Sequence, residues 1–138
     1  MSVQKLIATH PYPTTAYREA LLRCIGDCFD CTAACISCAD ACLGEADVRD
    51  LVRCIRLCLD CADLCDAAGR IVTRQTEPDL DVMRATIEAC ASACRACGDE
   101  CERHADHHEH CRICAAACRR CEQSCNDLLA TITTPERS

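Results

Sequence analysis

Six cysteines, Cys24, Cys28, Cys31, Cys35, Cys38 and Cys42, are separated alternately by four and by three residues. Side chains at those intervals share one stripe of an α-helix, because about 3.6 residues complete a turn. The rhythm returns as Cys54, Cys58, Cys61 and Cys65, as Cys90, Cys94, Cys97 and Cys101, and as Cys111, Cys114, Cys118, Cys121 and Cys125. All 19 cysteines fall in these four ladders. Four such stripes share an inward side only if the helices face one another. The expected fold is therefore all-α, an up-down-up-down four-helix bundle with a cysteine-lined core and a short N-terminal segment.

Helix ends can be read from the residues between the ladders. Residues 1–13 form a leader with a single helical turn, closed by His10-Pro11-Tyr12-Pro13. Thr14 or Thr15 is the expected cap of the first long helix, which stops at Gly44. The second runs from near Asp47 to Thr73. The third starts in Thr76-Glu77-Pro78-Asp79, where a capping hydroxyl precedes a proline in the first turn, and ends near Ala105. Asp106 to His110 is the expected turn before the fourth, which ends near Thr131. Residues 14–132 thus form the bundle, and 133–138 a disordered polar tail. A second apolar stripe, Leu22, Ile25, Phe29, Ile36 and Leu43 with Ile55 and Leu59, serves either to seal helix seams or as an oligomer interface.

Composition narrows what fills the core. Of the apolar half of the chain, 19 residues are Cys and 21 are Ala, and there is no Trp and one Phe. Few large apolar side chains remain. Such a cysteine content in a small chain suggests a disulfide scaffold. Helical i,i+4 neighbours, however, stand about 5 to 6 Å apart at Cβ, and a disulfide needs about 3.8 Å. With four Gly and four Pro, the chain also lacks the loops of such scaffolds. Reduced thiols are expected. The net charge of −7, with no basic face, gives no footing for nucleic acid. No apolar run nears the roughly 18 to 20 residues that span a bilayer, and the N-terminus has no apolar signal core. The expectation is a cytoplasmic protein without membrane or nucleic-acid partners.

One or two buried cysteines pack as small hydrophobes; nineteen on inward stripes call for a ligand. As thiolates they would carry a large buried negative charge, which is prohibitive unless cancelled. A divalent ion on every four sulfurs cancels about half of it. A soft monovalent ion at about one per sulfur cancels nearly all, and thiolates select Cu(I). A linear S–Cu–S link of about 4.5 Å, from bonds of about 2.3 Å, matches what a Cys-x3-Cys pair can present. Multiple Cu(I) ions are thus the expected cargo. The alternatives are a thiol- or cluster-based redox enzyme or sensor, and a zinc buffer. Iron–sulfur clusters favour cysteines grouped on loops, and no Cys-x-x-Cys-His haem site occurs.

The two ends of the tube differ. Beyond the last cysteines in one direction the stripes continue as Tyr17 and Leu21, Ala68 and Val72, Met83 and Ile87, and Leu128 and Ile132, an apolar plug. In the other direction they continue as Glu45, Asp47 and Leu51, and as His104 and His108, with His107 reached backwards from the fourth ladder. His104 and His108 are the expected metal ligands at this mouth. His107 and His110 are candidates for admitting the ion. His10 and Met83 are assigned no such role.

With its ladders, its nine Cys-x3-Cys pairs and a histidine-bearing mouth, the chain resembles the bacterial copper storage proteins over residues 14–132. It is most similar to their cytosolic branch. The resemblance implies a four-helix bundle holding many Cu(I) ions, assembled as a homotetramer and not an enzyme. It implies that the cysteines from Cys24 to Cys125 are the ligands, with His104 and His108 near the opening. A copper chaperone or a small-thiol donor is the implied source of the ions. Exported members have Met-rich mouths, and no Met stands at the mouth here.

Overall fold

The computed structural model describes residues 2–14 and 16–133. Among them are five α-helices and no strand: α1 (Ser2–Ala8), α2 (Arg18–Leu43), α3 (Val52–Thr73), α4 (Leu80–His104) and α5 (Glu109–Thr133). One 3₁₀ turn, Val48–Leu51, leads into α3. Each long helix packs against the next in the chain, and α5 closes against α2, so the topology is up-down-up-down. No described helix is long and apolar enough to cross a membrane.

The inward stripes are the cysteine ladders, and every cysteine is a free, buried thiol. The apolar plug is equally closed: Leu21, Ala68, Val72, Met83, Ile87 and Leu128 are buried, with Tyr17 and Ile132 partly buried against them. Helix α1 adds to the core. Its Ile7 is only 2% exposed and joins the same core, so the leader is part of the fold.

Several ends form by other means than the sequence suggests. Thr14 does not cap α2, whose N-cap is Tyr17 without a side-chain bond. The Thr14 hydroxyl instead donates to Gln75 Oε1, and Gln75 Nε2 donates to the Val72 carbonyl at 2.8 Å. A long-range clip replaces the local one. Thr15 and residues 134–138 of the expected tail lie outside the described residues. Asp79, not Thr76, caps α4, accepting from the Asp81 and Val82 amides at 3.0 Å. Gly44 ends α2 at φ −89°, a right-handed conformation, with its amide on the Ala41 carbonyl at 3.0 Å. The left-handed freedom of glycine is not used there.

The second apolar stripe divides. Ile25 is buried and Leu22 and Ile55 are half-buried in seams, whereas Phe29, Ile36, Leu43 and Leu59 are exposed, as is Val52. Phe29 lies over Gly69 so closely that a Cβ there would sit 2.9 Å from the ring.

Because neutral thiols are compatible with a buried core, the reduced, metal-free protein is expected to be fully helical. Far-UV circular dichroism of that form checks this, and a coil spectrum would show that the bundle needs metal to form.

Candidate metal centre

The ladders place sulfur against sulfur both along and between helices. Along one helix, Cys24–Cys28 and Cys31–Cys35 are 3.8 Å apart, Cys61–Cys65 3.7 Å and Cys97–Cys101 3.9 Å. Across helices, Cys65 lies 3.6 Å from Cys94 and 3.8 Å from Cys121, Cys58 lies 3.7 Å from Cys97, and Cys35 lies 3.8 Å from Cys118. Neighbouring helices thus contribute to one continuous column of sulfur. The sequence periodicity shows only the first kind of contact.

The spacing bears on coordination. With metal–sulfur bonds of about 2.3 Å, sulfurs stand about 4.6 Å apart in a linear link, ~4.0 Å in a trigonal one and ~3.8 Å in a tetrahedral one. The i,i+4 pairs are therefore closer than the expected linear link requires. They suit three or four sulfurs per ion as they stand, and a linear ion needs them to part by a rotamer change. Groups of four with all sulfurs within 4.8 Å include Cys28–Cys90–Cys121–Cys125, Cys31–Cys65–Cys94–Cys121, Cys31–Cys35–Cys61–Cys118, Cys35–Cys97–Cys114–Cys118 and Cys38–Cys54–Cys58–Cys101. Cys31, Cys35, Cys118 and Cys121 each belong to two of them.

Burial acts on the thiols as it does on any anion-forming group. Desolvation is the leading cause that pushes Cys42 up to about 11 and also raises Cys111. Inside the column, hydrogen bonds from Cys125 and Cys28 hold Cys24 down at about 5, and the bond to Cys121 leads those that raise Cys28.

At the mouth the structure redistributes the histidines. Helix α4 ends at His104 and α5 begins at Glu109, so the turn is shorter than expected and His110 is helical. His110 Nδ1 lies 3.4 Å from Cys38 Sγ and 3.6 Å from Cys111 Sγ, making it the histidine that meets the sulfur column. His104 instead bonds Glu100 at 2.9 Å, a buried carboxylate also faced by Arg53 and Arg103. His108 bridges Glu45 at 3.1 Å and Asp47 at 2.9 Å, and the Asp47 bond is the main reason its pKa is raised. His107 is exposed in the turn. Stripe extension missed this because it assumed that the helix continued through the turn.

A helical bundle whose interior is a column of reduced thiols, closed at one end and histidine-lined at the other, is the architecture of a thiolate metal store. Residues 17–130 match the copper storage protein family, and the chain belongs to it. Its fold is that of Ccsp, the copper storage protein from Streptomyces lividans, in a structure loaded with 10 copper equivalents. The TM-score is 0.91 at 53% identity, covering 94% of this chain and 98% of that one. A second structure of the cytosolic copper storage protein from the same organism, with five coppers, has a TM-score of 0.80 at 57% identity, covering 81% and 93%. The curated proteins contain no significant match.

Proposed function

We propose that this protein stores and detoxifies Cu(I) in the cytosol, binding many ions through all nineteen thiolates. The observation that carries the reading is the unbroken sulfur column, whose charge a monovalent soft ion cancels about one for one. Ions enter at the His110 end, meet Cys38 and Cys111, and move inward by exchange between sulfurs 3.6–4.0 Å apart. His104, held by Glu100, and the exposed His107 are secondary ligands there, whereas His108, expected from the sequence as a ligand, has both ring nitrogens turned to carboxylates and offers no lone pair to an ion. The protein is a binding protein, not an enzyme. A copper chaperone or small-thiol carrier supplies the ions. The exposed stripe of Phe29, Ile36, Leu43, Val52 and Leu59 supports assembly into a homotetramer.

Anaerobic titration of reduced protein with Cu(I) against a competing chelator tests this. The expected capacity is about one ion per cysteine, near 19 for the chain. Saturation at four or five ions would favour the zinc buffer, for which groups of four sulfurs are available. Strong visible absorbance of the purified protein would favour a cluster-based redox protein, since Cu(I) thiolates are colourless.

A further inference from the structure

At the mouth, Glu45 belongs to no cysteine ladder, yet two histidines converge on it. Its Oε2 accepts from His110 Nε2 at 2.8 Å, and His108 Nδ1 lies 3.1 Å from the same oxygen. His108 Nε2 donates in turn to Asp47 Oδ2 at 2.9 Å. The two rings stack with centroids 5.3 Å apart and planes 24° from parallel. Glu45 and Asp47 come from the turn after α2, His108 from the turn before α5 and His110 from the first turn of α5, so the cluster ties the two sides of the mouth together.

A carboxylate can only accept a hydrogen bond, so the hydrogen on Nε2 of His110 faces Glu45. The lone pair of the neutral ring is then on Nδ1, the atom that lies against Cys38 and Cys111. The His110 side chain is a quarter exposed, and without a partner on Nε2 the ring can turn about its side-chain bonds. Histidine ligands of metals are commonly oriented in this way by a carboxylate on the far nitrogen.

We propose that Glu45 is a positioning residue for copper admission: it holds His110 so that Nδ1 and the sulfurs of Cys38 and Cys111 converge on the first incoming ion. His108, gripped between Glu45 and Asp47, keeps the Glu45 carboxylate in place. The proposal rests on the reading that ions enter at this end.

The test compares wild type with Glu45→Ala, Glu45→Gln, His110→Ala and the double variant Glu45→Ala/His110→Ala. Two quantities are read: the stopped-flow rate of taking the first equivalent of Cu(I) from a chelator, and the His110 Hε2 resonance of the reduced, metal-free protein. Glu45→Ala should slow uptake about tenfold, the lower end for loss of a ligand-orienting partner, and abolish the Hε2 resonance. Glu45→Gln, whose amide oxygen still accepts, should restore most of both. In the His110→Ala background, Glu45→Ala should add no further slowing, because its effect passes through that ring. Additive slowing, or a Gln variant no better than Ala, would show that Glu45 acts by charge or structure and overturn the proposal. If His110→Ala slows uptake and Glu45→Ala does not, admission at this end stands and positioning by Glu45 falls. If His110→Ala has no effect, the place of admission itself is wrong.

Discussion

Lowering the pH from about 7 to about 6 is expected to weaken Cu(I) binding at the mouth sulfurs Cys42 and Cys111 by about tenfold per ion, because an ion bound there must displace about one proton from a thiol. The sign follows from burial. Cys42 is pushed up to about 11 and Cys111 is raised too, both chiefly by desolvation, so these sulfurs hold their protons across the neutral range. The metal-bound form needs thiolates. Each fall in pH below the raised values therefore favours the protonated, metal-free protein, and apparent affinity declines continuously. Cys24, held down near 5 by its bonds from Cys125 and Cys28, enters this balance only below that value. Chelator competition for the first equivalents at a series of pH values, corrected for the chelator's own protonation, should give a slope of about one in log affinity per ion held by these mouth sulfurs. A flat profile would mean that the sulfurs are already ionised in the metal-free protein.

The second large effect concerns the plugged end. Leu128 and Ile87 are fully buried, and they are among the few large apolar side chains of a core made mostly of Cys and Ala. Leu128→Ala or Ile87→Ala should each cost the metal-free protein about 2 to 5 kcal/mol, through lost transfer energy and the cavity left behind. That is a large share of the roughly 5 to 15 kcal/mol by which domains are stable. Copper should offset much of the loss, since a ligand at about a thousand times its dissociation constant adds about 4 kcal/mol by mass action. Urea unfolding of both forms, followed by circular dichroism, measures this. An unchanged midpoint for the metal-free variants would show that the thiol column, not the plug, holds the bundle together.

The cysteine rhythm carried most of the architecture, because a 4-3 alternation of one residue type has a single helical interpretation and four copies of it have a single common interior. The plug was equally legible, being the same stripes continued inside the helices. What failed was continuation past a helix end. His104 and His108 share a stripe only while α4 lasts, and α4 stops at His104, so His108 swings to Glu45 and Asp47. Restarting at Glu109 gives α5 a phase that carries His110 to Cys38. Thr14 had the chemistry of a cap, an oxygen that accepts from backbone amides, but its hydroxyl instead donates to Gln75, 61 residues away, a contact with no local signature. In α1, too short for a period, Ile7 is buried by what it lands on.

Leu21, Val72, Met83, Ile87 and Leu128 seal the far end of the sulfur tube, and this makes it a blind vessel. On the proposed route of admission, inbound and outbound traffic share the doorway beside His110. A molecule that occupies that doorway halts deposit and withdrawal together, whatever the occupancy behind it.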